Sequence, residues 1–164
     1  MVLSTHAVIG AAIAQVVPAN PALGFGLAII SHFILDMIPH WDYPLSSLEK
    51  PTDGNKLNQR FKLSPALVAD FMKTGADLLI GSILALVIFY PVNKAAAWAL
   101  LAGVTGAVLP DFLQFVFYRY RPFWLKPLQR FHLWIHAQDD LNDRPILGIS
   151  LQLLLVLVVV FVLR

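Results

Sequence analysis

The sequence contains no cysteine and little charge, with Lys, Arg, Asp and Glu making up only 13% of its 164 residues. The first absence removes disulfides, thiolate metal sites and a cysteine nucleophile together, so any metal must be held by imidazole and carboxylate. The second, beside 58% hydrophobic residues and a mean hydropathy of +0.70, does not suit an ordinary soluble domain and indicates an integral membrane protein. A formal net charge of +2 is too small for a nucleic-acid surface, and the basic residues are not interleaved with aromatics for base stacking, so no nucleic-acid partner is expected. The amino terminus has no basic region and no small-residue cleavage site, so Met1 to Val17 is expected to be retained. There is no long-period repeat, no low-complexity tract and no polar segment longer than about 25 residues, which leaves one domain over residues 1–164.

What remains is a series of apolar helices, an all-α polytopic membrane bundle of about five to six. Thr5 to Val17 reads as a short helix capped by Ser4 or Thr5 and closed by Pro18 and Pro21. Ala22 to Ile38 reads as a second, with Gly24, Gly26 and Ala28 offering a small-residue face to the first. Both are short for a bilayer, which suits two tilted spans or a re-entrant hairpin. Residues 43–64 are polar and broken by Pro44, Pro51 and Gly54, and form a loop long enough to cover a site. Pro65 to about Tyr90 and Lys94 to about Tyr118 are long helices, started by a first-turn proline and by Asn93 as cap. An amphipathic interfacial helix follows at about residues 125–141. Pro145 to Leu163 then crosses once.

Polar groups inside these apolar runs call for partners. His32 and Asp36 are four apart, hence on one helical face, and Pro39 then bends the chain so that His40 and Asp42 turn back toward them. His132, His136 and Asp140 repeat the four-residue step. If the helices alternate in direction, all five histidines and all ten acidic residues fall at one end, leaving only Lys94 and Arg164 as charges at the other. An ionised carboxylate in hydrocarbon is costly unless paired, and a shared cation would pair Asp36, Asp77 and Asp111. The expected metal ligands are His6, His32, Asp36, His40, Asp77, Asp111, His132, His136 and Asp140. Asp36, His40 and Asp77 are expected to take part in the chemistry, and Lys73, Arg119, Arg121 and Arg130 to bind an anionic headgroup. Zn²⁺ is the default ion for hydrolysis, Mn²⁺ and Fe²⁺ suit the same donors, and the ligand set is large enough for two or three ions.

Thr5-His6, Ser31-His32-x-x-x-Asp36 ending in Pro39-His40, and Leu109-Pro110-Asp111 together resemble a family of membrane-bound metal-dependent hydrolases that includes a LexA-regulated bacterial member. The two His and Asp series are more loosely similar to the trinuclear zinc sites of zinc-dependent phospholipase C. The resemblance implies that His6, His32, Asp36, Asp111, His132 and His136 are ligands, and that the substrate is a phosphoester of a membrane lipid. The competing expectations are a metal-ion or proton transporter or channel, and a non-catalytic protein stabilised by metal. A conduction path needs polar groups through the whole membrane depth, and the far half of these helices has almost none. Ten of the twelve Lys and Arg lie at the site end, which predicts a site facing the cytoplasm of a bacterial inner membrane.

Overall fold

The computed structural model describes residues 1–137 and 140–164. Its described residues form six α-helices: α1 (Leu3–Gln15), α2 (Pro21–Asp36), α3 (Pro65–Ile88), α4 (Lys94–Tyr120), α5 (Lys126–Ile135) and α6 (Pro145–Leu163). Three of them, α3, α4 and α6, are long and apolar enough to cross a membrane, fewer than the apolar runs suggested. The reason lies in α1, whose 13 residues have the length of a buried core helix. Ala7, Ala11, Ala12 and Ala14 are fully buried, and the helix packs against α2, α3, α4 and α6. Its apolarity is therefore matched to protein, whereas that of α3 and α6 is turned outward, with Ile80 56% and Leu157 66% exposed.

Several helix starts follow the expected chemistry. Asn93 accepts the Ala96 amide at 2.9 Å, Asn20 accepts the Leu23 amide at 3.1 Å, and Pro65 and Pro145 each open a first turn. The expected Ser4 or Thr5 cap is not used. α1 begins at Leu3 with no cap of its own, and its first amides are taken by distant side chains. Asp77 of α3 accepts the Ser4 amide at 3.0 Å, and Gln152 of α6 accepts the Val2 amide at 3.2 Å.

Small residues allow the inner helices to touch backbone to backbone. A Cβ on Gly103 of α4 would strike the Gly10 carbonyl of α1, and one on Gly10 would strike Gly103 in return. Of the expected small face on α2, Gly24 meets α1 at Ala14 and Ala28 meets α4 at Gly106, but a Cβ on Gly26 would meet nothing within 4 Å.

The polar segment after α2 is ordered by a two-residue antiparallel ladder, β1 (Leu48–Glu49) against β2 (Arg60–Phe61). Ser47 fixes its start, donating its amide and hydroxyl to Asp70 of α3 at 2.8 and 2.6 Å. Arg121 fixes its end. This residue leaves α4 in the left-handed conformation (φ 56°) and donates its guanidinium to the Leu57 carbonyl and, at 2.7 Å, to that of Gln59. The amphipathic helix α5 is shorter than expected and stops at Ile135; of the residues expected to continue it, 138 and 139 lie outside those described.

Candidate metal centre

Asp36, the last residue of α2, is 1% exposed and is the common member of two groups of potential ligands. In the first group its Oδ2 lies 3.2 Å from His32 Nε2 and 3.1 Å from His132 Nε2, which are themselves 3.4 Å apart. Asp111 Oδ1 completes the group at 3.8 and 3.9 Å from the same two nitrogens. Bonds of about 2.0–2.1 Å around a tetrahedral ion put neighbouring ligand atoms roughly 3.3 Å apart, so this quartet is close to the dimensions of a four-coordinate site. The His32 ring is oriented by its Nδ1, which donates to the Ala107 carbonyl at 2.7 Å and leaves Nε2 as the acceptor facing the group.

The second group consists of Asp36, His40 and His136. Pro39 does turn the chain back as its position suggests. His40 is 2% exposed and donates from Nδ1 to the Ile38 carbonyl at 2.7 Å, which leaves its Nε2 as an acceptor that the Met1 amine meets. Burial, helped by the Met1 amine 2.7 Å away, pushes the His40 imidazole down to about 4, so that it sits in the neutral form that ligates metals. Burial also lowers His136. The Met1 amine lies 3.2 Å from Asp36 Oδ1.

His6 stands between the groups. It is fully buried and stacks on His32 with ring centroids 4.1 Å apart. Its Nε2 lies 3.2 Å from Asp36 Oδ1, yet neither ring nitrogen makes a hydrogen bond. A buried imidazole without hydrogen bonds is costly, and a bound cation would satisfy it. The donor set therefore fits a metal on geometry as well as on residue type. Ring contacts join all five histidines in one series, from His6 to His32, His132, His136 and His40.

Other expected residues are placed elsewhere. Asp77 belongs to neither group and holds α1 and the Tyr43 hydroxyl, the latter at 3.4 Å. Asp140 is exposed and accepts the Asn142 amide, because α5 ends before it and the helical four-residue step from His136 is lost. That break has a use: His136, in extended backbone, reaches the second group while His132 stays in the first. Lys73 lies 3.5 Å from Asp70 and donates to the Pro44 carbonyl at 2.6 Å, Arg119 lies over the Tyr120 ring, and Arg130 is exposed on α5. With Arg121 tied to the loop, these basic residues form no common cradle.

Sequence reasoning missed Gln152 and Tyr43. Gln152 accepts from Val2 and Thr5 and donates to the Trp41 carbonyl at 2.8 Å, so α6 fixes both α1 and the turn after Pro39. Its signal was a single amide within an unbroken Leu and Val run. Tyr43, with Asp42 and Asp111, lies on the wall of an otherwise largely apolar cavity of about 300 Å³ between α3 and α4. The chain matches no protein-family model, no curated protein and no solved structure.

Proposed function

We propose that the protein is a membrane-embedded metal-dependent hydrolase that cleaves a phosphoester of a phospholipid or lipid-linked phosphate. The observation that supports this most directly is the quartet of buried His32, Asp36 and His132 with half-buried Asp111, set at metal-ligand spacing beside a largely apolar cavity among membrane-length helices. Asp36 carries the case for more than one ion. Its Oδ2 lies 3.2 Å from His32 while its Oδ1 lies 3.2 Å from both His6 and the Met1 amine, so the two oxygens would be able to serve different ions. Zn²⁺ is the preferred ion, and Mn²⁺ and Fe²⁺ suit the same donors. When bound, such ions polarise a phosphate oxygen and bring the pKa of a coordinated water to about 7. The excess of Lys and Arg at this end supports a site facing the cytoplasm, in a bacterial inner membrane on this reading.

The test begins with metal analysis of the purified protein beside His32→Ala and Asp36→Ala. Both variants are expected to lose bound metal, and undiminished metal in both overturns the shared centre. Metal-loaded wild type is then expected to hydrolyse members of a phospholipid panel and to stop when a chelator is added. Metal loading with no hydrolysis of any phosphoester in the panel overturns the enzyme and leaves a metal-stabilised protein.

A further inference from the structure

The cavity between α3 and α4 has more structure than a packing defect. Two of its walls are single faces of neighbouring helices, with Phe71, Gly75 and Leu78 on α3 and Val108, Phe112 and Phe115 on α4, and the start of α1 and the loop from Asp42 to Phe61 complete it. Helices joined by a short turn ordinarily close on one another. Here they meet sparsely, because each leans on α1 instead. The Phe71 and Phe115 rings bridge the gap with centroids 4.9 Å apart, and Phe61 of β2 stands 5.1 Å from Phe115 on the loop side.

Gly75 is the most telling position. A glycine within an apolar helix costs about 1 kcal/mol relative to alanine, so it calls for a local reason. Its reason is not close packing, since a Cβ at Gly75 would meet no atom within 4 Å. The glycine leaves the space beside α3 open. Phe71 and Phe112, at 48% and 57% exposure, mark a rim open to whatever surrounds the bundle. Both helices are long and apolar enough to cross a membrane, in which case this rim opens onto hydrocarbon. The lining is mainly apolar, with Asp70 and Thr74 on α3, Gln114 and Tyr118 on α4, and Asp42, Tyr43 and Asp111 as its polar members, and Asp111 belongs also to the ligand quartet.

We infer that this cavity is a binding groove for one acyl chain of a bilayer lipid, entered from the membrane between α3 and α4, with the headgroup delivered to Asp111 and the metal centre. The inference rests on the hydrolase reading for what happens to the headgroup, but not for the binding of the chain. A volume of about 300 Å³ lies at the bottom of the range for small-molecule sites, which suits one chain and leaves a second in the bilayer. Specificity then comes from the tail, which explains why the basic residues need not converge on the headgroup.

Gly75→Leu fills the groove from a position with room for the new side chain. Gly26→Leu, at an equally open position on α2 away from the groove, is the control. In vesicles of dioleoylphosphatidylglycerol doped with a spin-labelled phospholipid, wild type and Gly26→Leu are expected to show a motionally restricted lipid component, and Gly75→Leu to lose it. The ratio of dioleoyl to dihexanoyl phospholipid hydrolysis is expected to fall about tenfold in Gly75→Leu, with bound metal unchanged. An undiminished restricted component in Gly75→Leu overturns the groove, whatever happens to hydrolysis. A change of oligomeric state in Gly75→Leu with that component retained assigns the groove to a second copy of the chain and also overturns it. Loss of the component in a protein whose wild type hydrolyses nothing supports the groove while removing the hydrolase reading.

Discussion

At one end of the bundle α1, α2 and α4 carry His6, His32, Asp36 and Asp111 into a packed interior. At the other the same helices end in Gln15, Pro21 and Asn93, and the polar contacts there include the Asn20 and Asn93 caps and the Gln15 amide on the Ala96 carbonyl. Both ends are helical and differ in composition, since the histidines and carboxylates gather at the first. Near the site, buried polar groups are arranged around one carboxylate, Asp36. Along α6, a helix long and apolar enough to cross a membrane, Leu157 and Phe161 are exposed. The contrast implies that substitutions near Asp36 act through unsatisfied charge and lost ligands, whereas most substitutions on the lipid face act hardly at all.

The contrast can be broken most severely at its centre. Asp36→Asn keeps the shape of the residue and removes the charge shared by both ligand groups. Metal affinity is expected to fall by more than about 100-fold, beyond what loss of an outer-shell partner costs, as read by competition with a chromogenic chelator. Gly103→Leu strikes the α1 backbone and is expected to cost about 2–3 kcal/mol in denaturant unfolding in detergent, although it touches no ligand. Should Gly103→Leu unfold as wild type does, the close α1 and α4 crossing is wrong.

Gln152→Leu is a finer probe, because it lies on α6 yet serves the site. It leaves the Val2 amide and the Trp41 carbonyl unpaired, and about 1.5 kcal/mol of stability is expected to go with a measurable weakening of metal binding. A variant with wild-type metal affinity would show that α6 anchors nothing but the membrane. Arg121→Ala frees Leu57 and Gln59, and should cost about 1 kcal/mol and speed proteolysis within residues 43–64 while metal content holds. The smallest effect belongs to Phe161→Ala on the lipid face, expected within about 0.5 kcal/mol of wild type. A large loss there would mean that another surface covers α6.

Much of the site was legible in residue spacing. His32 and Asp36 face the same way because a helix requires it, and Pro39 returns His40 to them because proline cannot continue the helix. Spacing misled where the helix was assumed to run on: His136 and Asp140 were read as further turns of α5, but the backbone leaves helical geometry at His136 and sends the two to different places. Asp77 was read as a ligand because a carboxylate in an apolar helix needs a partner. It has one, the unsatisfied amide of Ser4 at the start of α1, and nothing in the sequence of α3 distinguishes an amide from a cation.

By itself the sequence determined the class of the protein, the apolar helices, the absence of thiolate chemistry and the polar end at which imidazole and carboxylate would gather. Hydrophobic length and residue type are local properties, and they are read without knowing the fold. Only the tertiary structure decided that α1 is a core helix, that Asp36 stands in two ligand groups, that Gln152 braces the site, and that α3 and α4 part around an open groove. Each depends on which residues from separate helices meet. That is set by close approaches such as Gly10 on Gly103, which no periodicity within one helix specifies.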